Sequence, residues 1–214
     1  MDGGYTAEEL KILSQEFNQL REQYEQQYQG YHLGRINESH TVRAPLLHEK
    51  GKLFLRLALN DNLLSVLKKA IPGKIILNQQ NGVINPAHET YNQGAWHRDL
   101  PYQHYVSTKP LAVNALFCID DFTVDNGATF VLPASHKSED FPSKEFINRN
   151  AIQVEAKAGE FILLDCMVYH SGGFNVTNVE RRAVNHVFNI PYFKQQINIP
   201  KNIVSTELSE EDKE

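Results

Sequence analysis

The stretch Ile71-Pro72-Gly73-Lys74-Ile75-Ile76-Leu77-Asn78-Gln79 separates two kinds of pattern. Pro72-Gly73 stops a helix, because proline has no amide hydrogen to donate and glycine accepts the conformations in which helices end. Upstream, residues 6–28 open with Thr6-x-x-Glu9, the pattern of a capping box, and then repeat apolar residues at Leu10, Leu13, Phe17, Leu20, Tyr24 and Tyr28. This predicts an amphipathic helix whose apolar stripe packs on the chain's own sheet. Residues 52–70 predict a second helical region, broken or recapped at Asn60-Asp61. Downstream, short β-rich runs follow at 74–79, 111–119, 129–132, 152–155, 161–165 and 183–190, separated by Gly, Pro and Asn. Helices first and many short strands afterwards predict a mainly β (α+β) sandwich with helices on one face. The expected organisation is one domain: residues 1–73 as a helical region packed on the core, 74–200 as the β core, and 201–214 as an acidic tail. Residues 138–149 read as an insertion loop with room for one helical turn.

Composition narrows the class. The 214 residues include 41% apolar and 22% charged side chains, enough to bury a core and to stay in water. Net charge is −5, from 26 acids against 21 bases, and the stretch 207–214 alone holds five of those acids against one lysine. Such a balance gives no basic footprint for nucleic acid or an anionic membrane surface. Neither is expected as a partner, and the chain is expected to act as a monomer or homodimer. Cys118 and Cys166 lie in apolar surroundings and read as buried free thiols of a reducing compartment. The N-terminus shows neither the basic nor the apolar region of a signal peptide, so a cytoplasmic location is expected.

The chemistry concentrates in Gly94-Ala95-Trp96-His97-Arg98-Asp99-Leu100-Pro101. In a strand, residues i and i+2 share a face, so His97 and Asp99 project together while Arg98 turns away. A metal needs a third donor. His170 is the best candidate, because it follows the apolar run 161–165 at a strand end and precedes Ser171-Gly172-Gly173. Two imidazoles and one carboxylate on one face of an ion leave positions open, as in non-haem Fe(II) oxygenases. Alone, an H-x-D tripeptide is a weak signal, and in an arbitrary chain it is more often a strand with a polar solvent face.

Its context adds three features in order: Asn126-Gly127-Ala128-Thr129 leading to Pro133-Ala134-Ser135-His136, then His170, then Arg181. With Trp96-His97-Arg98-Asp99, these resemble the phytanoyl-CoA dioxygenase family of Fe(II)/2-oxoglutarate-dependent oxygenases over about residues 75–188. Ala134 stands where that pattern usually has glycine. The resemblance implies a double-stranded β-helix, or jelly roll, of the cupin-like kind, with Fe(II) held by His97, Asp99 and His170. It also implies 2-oxoglutarate and O2 as cosubstrates. Oxidative decarboxylation to succinate and CO2 would then drive hydroxylation of an unactivated C–H bond of a small polar molecule, the partner the resemblance implies. The carboxylate of Asp99 argues against a halogenase, where alanine opens a place for halide.

Arg181 is the expected partner of the far carboxylate of 2-oxoglutarate, since guanidinium offers a planar, permanently charged fork. The resemblance adds Gln79, Asn114 and Thr129 as cosubstrate contacts. Tyr91, Trp96, Tyr102, Gln103 and His104 are candidates to touch substrate, and with Gln80, Asn81 and Arg98 they give an expected polar mouth. His32, His40, His48, His88 and His186 read as surface or structural, and His136 as part of its turn. Two other readings keep parts of this set: desaturation, epoxidation or cyclisation with the same cofactors, and a non-catalytic metal-binding jelly roll that senses a ligand.

Overall fold

A computed structural model describes residues 1–28, 40–48, 51–99, 106–195, 197–203 and 208. Two antiparallel sheets face each other. The larger is built from β1 (Thr41–Arg43), β2 (Ile76–Asn85), β8 (Arg181–Asn189), β3 (Ala112–Cys118) and β6 (Phe161–Asp165), in that spatial order. The smaller runs β5 (Ile152–Val154), β4 (Thr129–Val131), β7 (His170–Ser171), and an isolated bridge adds His97 beside His170. This is the jelly roll, with helices on the outer face of the larger sheet.

Helix α1 (Ala7–Tyr28) starts where its sequence says it should: the Glu9 carboxylate accepts from the Thr6 amide at 2.8 Å, and Thr6 Oγ1 accepts from the Glu9 amide at 3.3 Å. Its stripe of Leu13, Phe17, Leu20 and Tyr24 is buried. The stripe packs with Val113, Ala115 and Phe117 of β3 and Val184 and Phe188 of β8. Burying each of these large side chains contributes about 1.5–3 kcal/mol. Helices α2 (Lys52–Ala58) and α3 (Asp61–Ala70) break at Asn60, whose side chain accepts from the Leu63 amide at 3.0 Å and donates to the Gly3 carbonyl at 2.9 Å. No described helix is long and apolar enough to cross a membrane.

Three differences from the sequence pattern have physical causes. β2 runs to Asn85 rather than stopping at Gln79. Asn81-Gly82 looks like a turn but is strand interior, where a Cβ on Gly82 would sit 2.6 Å from the Phe17 ring, so glycine lets α1 approach the sheet. The expected insertion loop contains α4 (Lys144–Asn150), capped by Ser143 Oγ accepting from the Phe146 amide at 3.2 Å. A short helix α5 (Ile199–Asn202) closes the described chain against the apolar core.

Alternation along the central strands decides which side chains reach the sandwich interior. On β8, Val184, His186 and Phe188 face the helices, so Arg181, Ala183 and Asn185 face the second sheet. On β3, Val113, Ala115 and Phe117 face the helices, which turns Asn114 inward. The helix-facing side carries one buried polar network. Gln80 accepts from the Leu46 amide at 2.9 Å and donates to the Phe54 carbonyl at 2.7 Å, and its amide nitrogen meets His186 Nε2 at 2.8 Å. Gln80 is 1% exposed, so this network, rather than the mouth, is its place.

Candidate metal centre

His97 and His170 meet because their backbones pair: each amide donates to the other's carbonyl, at 3.0 and 3.1 Å. Their rings lie with centroids 4.4 Å apart. His97 Nδ1 meets the Ala95 carbonyl at 2.7 Å and His170 Nδ1 meets the Val168 carbonyl at 3.0 Å. A carbonyl can only accept, so each Nδ1 carries the proton and each Nε2 presents a lone pair. Burial and the neighbouring His170 hold His97 below its ordinary pKa, against the opposing pull of Ala95 and Asp99, which favours the neutral, ligating form.

Asp99 completes the group. Its Oδ1 lies 4.0 Å from His97 Nε2 and 3.7 Å from His170 Nε2, too far for a hydrogen bond. One ligand atom from each of the three residues lies within 4.8 Å of the others. Metal–nitrogen and metal–oxygen bonds of about 2.0–2.2 Å bridge separations near 4 Å, and small side-chain rotations close the rest. Two imidazole nitrogens and one carboxylate oxygen suit a divalent ion such as Fe(II). No other group of this kind occurs among the described residues.

Across the same cavity stands Arg181, 3% exposed. Its Nε and Nη2 donate to the carbonyls of Asn126 and Gly127 at 3.3 and 3.1 Å. Its guanidinium lies 3.7 Å from the centroid of the Phe122 ring, and the Tyr91 hydroxyl lies beside it. Among the described residues no carboxylate pairs with it. Burial lowers its pKa, but from so high a start that it stays charged. The turn that presents those two carbonyls requires glycine: Gly127 has φ +76, and a Cβ there would lie 2.3 Å from the Gly173 carbonyl oxygen. Asn85 ties the turn to the strand after the triad by donating to the carbonyls of Asn126, Gly127 and Gly173.

The remaining candidates divide. Thr129 and Tyr91 line the cavity between the triad and Arg181. Asn114 lines it too, but its amide nitrogen donates to Asp99 Oδ2 at 2.7 Å. Gln79 does not line this cavity; it shares the inward side of β2 with Val83, beyond a register shift between Leu77 and Gln79, and its Oε1 accepts from Asn81 Nδ2 at 3.4 Å. Trp96 packs on Phe130 and the cluster of Leu132, Ile147 and Tyr169, away from the cavity. Arg98, expected at the mouth, is 3% exposed: it donates to the carbonyls of Ser135 and Ser138 and stacks 4.1 Å from the Tyr169 ring. Strand alternation turned it away from the ligands and into the back of the smaller sheet. Tyr102, Gln103, His104 and His32 lie outside the described residues.

Sequence reading missed Asn185 and Gly172, which both line the cavity. Asn185 could have been found from Arg181, because a residue four positions on along a strand shares its face. Gly172 allows a close approach, since a Cβ there would lie 1.9 Å from the Tyr91 hydroxyl. Larger cavities of about 340 and 390 Å³ lie between α3 and α5 and beside α4, but neither contains a metal-ligand cluster.

Comparison with known proteins agrees with this geometry. The model of the family described as phytanoyl-CoA dioxygenase matches residues 1–183. An uncharacterized protein of Mycobacterium tuberculosis is 36% identical over 140 residues, covering 63% of this chain and 50% of that protein. The Fe(II)/2-oxoglutarate-dependent dioxygenase nvfF of Aspergillus novofumigatus is 32% identical over 118 residues, covering 51% of this chain and 39% of its own length. The chain thus spans about half the length, or less, of these curated relatives. Among solved structures, HygX of Streptomyces hygroscopicus with nickel and 2-oxoglutarate bound superposes with a TM-score of 0.66 at 18% identity, covering 91% of this chain and 83% of that one.

Proposed function

The chain belongs to the phytanoyl-CoA dioxygenase family, and from that premise we propose that it is an Fe(II)- and 2-oxoglutarate-dependent dioxygenase hydroxylating an unactivated C–H bond of a small polar molecule. The observation that carries this reading is one cavity lined both by His97 and His170, which group with Asp99, and by the buried Arg181. A plain structural metal site has no use for a buried cation without a carboxylate. Burying an unpaired charge is costly, so the guanidinium calls for an anion in that cavity.

When bound, Fe(II) supplies the redox chemistry that couples decarboxylation of 2-oxoglutarate, to succinate and CO2, with oxidation of the substrate. Each histidine holds its proton at Nδ1 on a backbone carbonyl and offers Nε2 to the metal. Arg181 would take the far carboxylate of 2-oxoglutarate with the part of its fork not used by Asn126 and Gly127, and the Tyr91 hydroxyl supports it from the side. Thr129 and Asn185 add polar groups along the cavity wall, while Leu116 and Leu164 exclude water from it. Polar Gln93 and Tyr91 on the lining support a polar rather than a long-chain substrate. The buried free thiols Cys118 and Cys166 suit a reducing compartment such as the cytoplasm.

The test is succinate formation from 2-oxoglutarate under air with Fe(II). Wild type is expected to release succinate, and H170A and R181Q to lose most of it. Absence of succinate from metal-loaded wild type at saturating 2-oxoglutarate, with and without a panel of polar metabolites, would overturn the assignment.

A further inference from the structure

The sequence reading pairs Asn114 with the cosubstrate; its contacts support another task. We propose that Asn114 is a positioning residue for Asp99, holding the carboxylate so that Oδ1 alone faces the metal. The proposal rests on the oxygenase reading above, because it takes His97, Asp99 and His170 as the set that holds the ion.

Asp99 is held through its backbone and through its carboxylate, which also lies beside the buried Cys166 thiol. Its backbone amide donates to the Cys166 carbonyl at 3.1 Å, and its Oδ2 accepts from Asn114 Nδ2 at 2.7 Å. That leaves Oδ1 facing both imidazoles, at 3.7 and 4.0 Å from their Nε2 atoms. Asn114 cannot easily give way. It is 2% exposed on β3, the strand between β8 and β6, with Val187 and Leu164 opposite it. Its amide cannot flip either, because that would bring a carbonyl oxygen against the carboxylate. Asn114 Oδ1 is buried and has no partner, so the bond to Asp99 is what orients the side chain.

The consequence concerns coordination number. A carboxylate free to rotate can offer both oxygens to one ion and so fill a position that 2-oxoglutarate or O2 needs. With Oδ2 committed to Asn114, Asp99 gives one oxygen and the remaining positions stay available. Groups that orient a ligand in this way typically change metal affinity by about 10–100-fold when removed.

The experiment uses the full chain, metal-free, titrated with Co(II) by calorimetry and followed by visible absorption, for wild type, N114L and N114S. N114L, with the same branching and the same number of side-chain heavy atoms but no donor, is expected to bind Co(II) about 10–100-fold more weakly. Its absorption per Co(II) should also fall, because a two-oxygen carboxylate raises the coordination number. N114S, smaller but still a donor, should lie between; a loss as deep as that of N114L would indicate packing and overturn the proposal. Unchanged Co(II) affinity and spectrum in N114L, with weakened 2-oxoglutarate binding to the Co(II)-loaded protein, would also overturn it and return Asn114 to the cosubstrate. Failure of wild type to bind Co(II) or Mn(II) would remove the oxygenase reading itself, and the proposal with it.

Discussion

The guanidinium of Arg181 stacks 3.7 Å from the centroid of the Phe122 ring while two of its nitrogens hold the carbonyls of Asn126 and Gly127. A desolvated contact of this kind contributes on the order of 2 kcal/mol. The side chain is thus fixed before any anion arrives, so little freedom is lost when one binds.

Replacing the fork should therefore act on cosubstrate binding. R181Q is expected to raise the 2-oxoglutarate concentration for half-maximal turnover by about 10–100-fold, as loss of a charge-assisted hydrogen bond of about 1.5–3 kcal/mol predicts. R181K, which keeps the charge and loses the planar fork, should fall between the two. Initial rates of succinate formation against 2-oxoglutarate check both.

Gly172 and Tyr91 should be energetically coupled. A Cβ at residue 172 would lie 1.9 Å from the Tyr91 hydroxyl and 2.7 Å from the ring carbon bearing it. G172A should cost about 1–3 kcal/mol, as overpacking does. Y91F removes the nearest clashing atom, so the double variant should be destabilised by less than the sum of the singles. Urea unfolding of the four proteins measures the coupling, and simple additivity would argue against the packing described.

Ala134 has φ 63, in the left-handed region, at the start of a short 3-10 turn. An L-residue other than glycine is strained there, although glycine loses more chain entropy on folding. A134G should gain a net of about 0.5–1 kcal/mol, or roughly 1–4 °C in melting temperature for a chain of this size. Activity should be unchanged, since residue 134 touches neither the triad nor Arg181.

His186 sets an acid limit. Burial pushes its pKa down to about 4, against the opposing contacts with the carbonyls of Ala115 and Val184. The unfolded chain takes up this proton near its ordinary pKa of about 6.5. The unfolded state therefore binds more protons between those values, so stability is full above about pH 6.5 and falls as pH drops toward 4, by on the order of 3 kcal/mol. H186Q should show a shallower loss over that window in denaturant melts at successive pH values. An identical slope would remove His186 as the cause.

The pattern of the chain revealed elements that local chemistry defines and hid those that packing defines. Thr6-x-x-Glu9, Asn60 and Pro72-Gly73 each act within a few residues, and the start of α1, the break between α2 and α3 and the end of α3 fall where they indicate. The continuation of β2 past Gln79 left no local signal, because the reason for Gly82 lies in Phe17, far away in sequence. β1, with three residues, is too short to leave a period, and exists only as an addition to the edge of β2. At the site, the two-residue spacing of His97 and Asp99 and the apolar run before His170 were legible, whereas Tyr91 and Gly172 meet only through the fold. Arg98 sits next to the ligands in sequence, but the same alternation that joins His97 to Asp99 turns it to the opposite side, onto Tyr169.

The most direct test of the central claim is an anaerobic titration of Fe(II)-loaded protein with 2-oxoglutarate, followed by visible absorption. Chelation by the keto acid at a metal held by His97, Asp99 and His170 predicts a charge-transfer band that saturates at one equivalent, is absent in H97A and H170A, and needs far more 2-oxoglutarate in R181Q. A protein that binds both Fe(II) and 2-oxoglutarate yet shows no such band, or shows it undiminished in H170A, would contradict the account.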